Sequence, residues 1–125
     1  MGIVSSLLGN ASEVDPNRLE AEFAEILIPD EQIERVYKVV RDLIVFTNKR
    51  LILVDHQGIT GRKVEHLSIP YKSITRFSKE NAGTFDLDSD LRIWVSGESA
   101  PIVRKFRDNA SVHDIYRLLS TAMLR

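Results

Sequence analysis

The chain of 125 residues contains no cysteine, which excludes disulfides and thiolate metal sites and fits a reducing compartment. Neither sign of charge is in surplus: 17 basic residues face 18 acidic ones, for a formal charge of -1. Binding the nucleic-acid backbone calls for Lys and Arg concentrated on one face, and no basic run exceeds two or three residues, so a nucleic-acid partner is not expected. No stretch approaches the roughly 18 apolar residues of a membrane-spanning helix. The start of the chain has no basic stretch and only a short apolar segment, so no signal peptide is read there and the expected location is cytoplasmic.

Catalytic signatures are equally scarce. His56, His66 and His113 are the only histidines, and they show neither the i, i+4 spacing nor the HExxH form of a zinc site. Asp86, Asp88 and Asp90 resemble the opening of a calcium loop, but Leu91 stands at its sixth position and Gly97 at its twelfth. Gly58 to Lys63 is too short for a phosphate-binding loop. No serine or histidine is marked as a nucleophile with a base and an orienting acid. No catalytic residue, metal or cofactor is therefore expected. Met1-Gly2 with Ser6 matches a loose lipidation pattern, and Asn10 and Asn109 begin glycosylation sequons that matter only in a secreted chain.

What is present is a single domain's worth of ordinary globular sequence, 43% hydrophobic and 28% charged. Ile3, Val4, Leu7 and Leu8 form a short apolar stripe at helical spacing before Gly9 and Asn10. Asp15-Pro16 signals a second helix, with Leu19, Phe23, Ile26 and Leu27 along one face and Pro29 at its end. From Ile33 the pattern turns to short strands over about 33–40, 43–46, 51–54, 64–69, 73–78, 91–95 and 102–106. Thr47-Asn48-Lys49-Arg50 reads as a tight hairpin turn. Leu91, Ile93 and Val95 alternate with polar neighbours and give the clearest half-buried strand. Ser111 and Asp114 read as an acidic capping box opening a last helix, whose apolar face is Val112, Ile115, Leu118, Leu119, Ala122 and Met123.

Seven strands and a terminal amphipathic helix predict a small antiparallel barrel or orthogonal sandwich plugged by that helix. Leu43–Phe46 and Leu51–Val54 do not alternate, so both faces of those strands need cover. The N-terminal helices or a second copy of the chain are alternative sources of that cover.

The stretch Phe46-Thr47-Asn48-Lys49-Arg50-Leu51-Ile52-Leu53-Val54-Asp55, then Gly58, Ile69-Pro70-Tyr71 and Ile74, resembles the bacterial pleckstrin-homology-like domains. The resemblance spans about residues 30 to 124. It implies a mainly β (α+β) fold: a partly open barrel of two orthogonal antiparallel sheets, about seven strands, capped by the C-terminal helix. With two short N-terminal helices added, the chain divides into an extension over 1–29 and the domain over 30–125. The resemblance further implies no enzymatic activity and a ring-like homo-oligomer. The expected partner is the chain itself, with another protein as a second candidate, in an interaction or scaffolding role.

The alternative is a weak membrane-surface or anionic-ligand binder. In eukaryotic relatives, inositol phosphates occupy a basic cup formed by the loops after the first, third and sixth strands. The corresponding loops here carry Arg41, Arg62 and Lys63 against Asp42, Asp55 and Glu98. Three cations balanced by three carboxylates argue against a lipid headgroup. Arg41, Arg62 and Lys63 remain the candidate ligand-binding residues, and Thr47, Asn48, Lys49 and Arg50 the motif hairpin. Lys49, Arg50 and Lys72 form a possible second basic patch, though turn geometry and solubility explain the first two more simply. Trp94 and Tyr71 read as packing residues with a polar edge.

Overall fold

The computed structural model describes residues 7–8, 11–13, 19, 21–39, 41–81, 88–107 and 109–124. Among these residues, nine strands form two antiparallel sheets. The first sheet runs in chain order: β1 (Leu7–Leu8), β2 (Ala11–Glu13), β3 (Ile33–Val39), β4 (Asp42–Thr47), β5 (Arg50–Gln57) and β6 (Lys63–Pro70). The second holds β7 (Ile74–Glu80), β8 (Ser89–Val95) and β9 (Ile102–Phe106), and α1 (Asn109–Met123) follows. The seven strands expected from the sequence are β3 to β9. A 3-10 turn at Tyr71–Ser73 carries the chain from the first sheet to the second.

The two added strands correct the sequence reading. Leu7–Leu8 was expected to end a short helix, but it pairs with Ala11 and Ser12, and β2 in turn extends the edge of β3. A helix of one or two turns is marginal in water, whereas an open strand edge offers unpaired backbone groups that a neighbouring strand satisfies. Pairing therefore overrides the helical spacing. The start signal at Asp15-Pro16 lies outside the described residues. Further on, the amide N–H groups of Phe23 and Leu27 donate to the carbonyls four residues earlier, Leu19 and Phe23, at 2.9 Å each, so helical turns do form over this segment.

The unbroken apolar runs of β4 and β5 keep the period of two and feed two cores. Ile44, Phe46, Leu51 and Leu53 face the space between the sheets, where they meet Tyr37, Ile74, Leu91, Ile93 and Phe106. Val45, Ile52 and Val54 face the other way and pack with Ile33, Val36 and Phe23. Phe23 is 1% exposed and anchors the segment, with Leu19, Ile26 and Leu27 packed around it. Of the two sources of cover left open by the sequence, the described residues show the one within the chain.

Helix α1 closes the inter-sheet core with Val112, Ile115 and Leu119, all buried. It begins at Asn109, so Ser111 lies within its first turn, and Asp114 does a different job from the one expected. Its Oδ2 accepts a hydrogen bond from the Tyr37 hydroxyl at 2.9 Å, tying the helix to β3. Leu119→Ala should lower stability by about 2–3 kcal/mol, the low end of the Leu→Ala range because a terminal helix can settle into the void. Leu118, only partly buried, should cost less. Chemical denaturation compares the two, and unchanged midpoints for both would mean that the helix does not plug the fold.

Candidate binding rim and hairpin lock

The β4–β5 hairpin is organised around one buried carboxylate. Glu31 precedes β3, and its side chain is 0% exposed. Its Oε2 accepts from the Thr47 hydroxyl at 2.7 Å and from Arg50 Nε at 2.8 Å. Its Oε1 accepts from Arg50 Nη2 at 2.9 Å and from the Ile28 amide at 3.1 Å. Burial pushes this carboxyl's pKa up, but the hydrogen bonds from Arg50, Thr47 and Ile28, together with the charge of Arg50, outweigh it and hold the group below its ordinary value.

The remaining donors of Arg50 fasten the neighbouring elements: Nη2 reaches the Ile26 carbonyl at 2.6 Å and Nη1 the Ser68 hydroxyl at 3.1 Å. The Thr47 hydroxyl also accepts from the amides of Lys49 and Arg50, at 3.0 and 2.9 Å. Asn48 accepts from the Gln32 amide at 2.7 Å through Oδ1 and donates to the Asp30 carbonyl at 2.9 Å through Nδ2. Tyr71 completes the set by donating its hydroxyl to the Thr47 carbonyl at 2.7 Å. The motif therefore joins the N-terminal segment, the hairpin and β6. Arg50 is committed to this lock, and a patch of Lys49, Arg50 and Lys72 loses its central cation. Trp94 is half-buried, with the Arg76 guanidinium 4.5 Å above its ring.

The other candidate residues gather at the opposite end of β5. Arg41 Nη1 donates to the Gly58 carbonyl at 2.9 Å, bringing the β3–β4 turn against the β5–β6 turn that carries Arg62 and Lys63. Beneath them lies an open cleft of about 530 Å³ lined by Leu19, Glu22, Lys38, Arg41, Leu43 and His56, with Thr60 and Gly61 at the turn. The Asp42 carboxylate accepts from the His56 amide at 2.8 Å. His56 Nδ1, which is buried and has no hydrogen-bond partner among the described residues, stands 3.8 Å from the same oxygen.

The third loop of the expected cup is elsewhere. Glu98 and Ala100 line a separate groove of about 400 Å³ together with Leu67, Ile69, Pro70 and Ile102. That groove adjoins the Pro70 end of β6, roughly 20 Å along the strand from Lys63 at about 3.3 Å per residue. Asp55 is also removed from the rim: Arg104 of β9 grips it with Nη2 at 2.9 and 3.1 Å. Asp86 lies outside the described residues, and Asp90 is paired with Arg92 and Lys105.

Two residues central to these surfaces were not singled out from sequence. Glu31 follows Pro29-Asp30 as one acidic residue among many, and only its partners 16 and 19 positions later reveal it. Ile59 is 102% exposed at the tip of the β5–β6 turn. An isoleucine between two loop glycines was the available signal.

Residues 2–123 match the model of the Bacterial PH domain family. The chain is 54% identical to the uncharacterized protein YjqA of Bacillus subtilis over 125 residues, covering 99% of this chain and 100% of that protein. It is 32% identical to the uncharacterized protein YozO of the same organism, over 96% of each. Among solved structures, it resembles a protein with a pleckstrin-homology domain from Shewanella loihica, with a TM-score of 0.81 and 45% identity over 92% of this chain and 98% of the other. A pleckstrin homology domain from Shewanella amazonensis gives a TM-score of 0.82 and 46% identity over 90% of each chain.

Proposed function

We propose, from the premise that the chain belongs to the bacterial PH domain family, that it is a non-enzymatic interaction module that assembles with copies of itself through the edge of β6. The observation that carries this reading is the exposure of that strand. β6 spans eight residues and pairs only with β5, so its outer backbone groups face no further strand among the described residues. Seven of its eight positions are exposed, and Val64 and Leu67 present apolar side chains there.

An open edge of this length is a template for strand addition. The adjoining groove of Leu67, Ile69, Pro70 and Ile102 supplies apolar area beside it. The outer face of β3 to β5 is no longer available for this purpose, since Leu19, Phe23, Ile26 and Leu27 cover it. The first sheet has β1 at one edge and β6 at the other, so a head-to-tail contact between copies would continue the sheet and close into a ring if the rotation allows.

Sedimentation of the full chain at tens of micromolar tests the reading. An oligomer is expected, and Leu67→Lys, at a position already 37% exposed, should shift it toward monomer without lowering the thermal midpoint. A monomeric wild-type chain would overturn self-association, and an oligomer indifferent to Leu67→Lys would move the contact away from β6.

A further inference from the structure

We propose that the outer face of the second sheet binds an acidic segment of another protein, with Arg76 taking a carboxylate and Trp94 and Val103 the apolar side chain beside it. The site begins with an irregularity in β7. Ile74 pairs with Val95 and Arg76 with Trp94, so Thr75 is an extra residue on its strand. In a regular ladder Thr75 would stand opposite Trp94, and Arg76 would join the buried Ile93 on the inner side. The bulge instead brings Arg76 level with the tryptophan on the outer face. The Thr75 hydroxyl ties the bulge down by donating to the Trp94 carbonyl at 3.3 Å.

The second observation is what Arg76 does there. Its guanidinium lies 4.5 Å over the indole ring, a contact that restrains the side chain and leaves the N–H donors at its rim. Arg76 is exposed and makes no hydrogen bond or ion pair among the described residues. Its donors are therefore available to a carboxylate, which a guanidinium grips with two parallel hydrogen bonds. Val103 is 39% exposed and pairs with Arg92, which makes it the diagonal neighbour of Trp94 across the β8–β9 ladder. The indole and the valine form an apolar strip beside the cation. Tryptophan and arginine are also the side chains that most often anchor protein interfaces.

The rest of the face selects the occupant. Arg92 meets Glu80 and Asp90 at 3.2 Å each, and Lys105 meets Asp90 at 3.1 Å. Two cations and two carboxylates thus cancel at the end away from Trp94, and Glu98 turns into the separate groove beside β6. Arg76 is left as the uncompensated charge of this face among the described residues. A bilayer or a nucleic-acid strand would bring a row of phosphates and set some of them against Glu80, whose side chain is 65% exposed. A single carboxylate next to an aliphatic side chain, as in an alternating acidic and apolar stretch of protein, meets the cation and the strip without that repulsion.

Trp94 is the only tryptophan of the chain, so its fluorescence reports on the site directly. The probe is a blocked tetrapeptide of alternating glutamate and leucine, titrated into the full chain up to millimolar concentration. Wild type should give a saturable change, and the glutamine–leucine counterpart should bind about tenfold more weakly. Arg76→Ala should lose about tenfold in affinity for the acidic peptide. Arg76→Lys should recover only part of that loss, because a point charge lacks the planar fork. Leu67→Lys should titrate as wild type does, so failure of the self-association reading leaves this one standing. No response to the acidic peptide, an equal response to its glutamine counterpart, or unchanged affinity in Arg76→Ala would each overturn the proposal. So would flotation on phosphatidylserine vesicles that depends on Arg76, which would assign the face to lipid.

Discussion

Phe23→Ala should lower the unfolding free energy by about 3–5 kcal/mol, the range for truncating a fully buried phenylalanine. The ring is 1% exposed and fills the centre of the outer core against Ile33, Val36, Val45, Ile52 and Val54. It also meets His66 edge-on, with centroids 5.8 Å apart and planes at 81°, a geometry that adds to area burial. No other aromatic side chain belongs to this core among the described residues, so the neighbouring Leu19, Ile26 and Leu27 lack the volume to refill the site. Urea denaturation followed by Trp94 fluorescence measures the effect. A loss below about 1 kcal/mol would mean that the N-terminal segment lies on the sheet without contributing to its stability.

Glu31→Gln should cost about 3 kcal/mol at neutral pH. Breaking a buried ion pair by removing one charge typically costs about 3–5 kcal/mol; the lower figure applies because the Arg50 side chain is 22% exposed and regains some water. The same lock gives a pH signature. The folded carboxyl titrates below its ordinary value, so the stability it contributes is fully present above the ordinary glutamate range and is lost as the pH falls through the lowered folded value. Thermal midpoints of wild type and Glu31→Gln should therefore lie far apart at neutral pH and converge under acid conditions. A constant separation across that window would show that the carboxylate's charge is not what the lock uses.

The strand series was legible because its signals are local. The alternation of Leu91, Ile93 and Val95 and the apolar period of the last helix lie within single elements, and the structure keeps both. The double burial of β4 and β5 was legible as a requirement, since runs without polar neighbours need cover on two sides. Which segment supplies that cover was not, because it depends on Phe23 reaching strands that follow it by 10 to 31 residues. The β1–β2 pair was hidden for a related reason: two residues at helical spacing carry no record of the edge that will recruit them. Of the rim residues, Arg41 and the Arg62-Lys63 pair do come to one end of the sheet. The charge tally counted Asp55 among the rim carboxylates, and the structure shows it taken by a strand 49 positions away.

Because two different cores claim successive residues of β4 and β5, neither strand has a side on which sequence can drift freely. A strand with one wet face conserves every second position and lets the others wander. Here Val45 is as enclosed as Ile44, and Ile52 as enclosed as Leu51 and Leu53. Substitutions are therefore expected to be tolerated best on the exposed row of β6 and the turns at its two ends. The same strand carries the contact proposed for self-association, so relatives that differ there would differ in how they assemble.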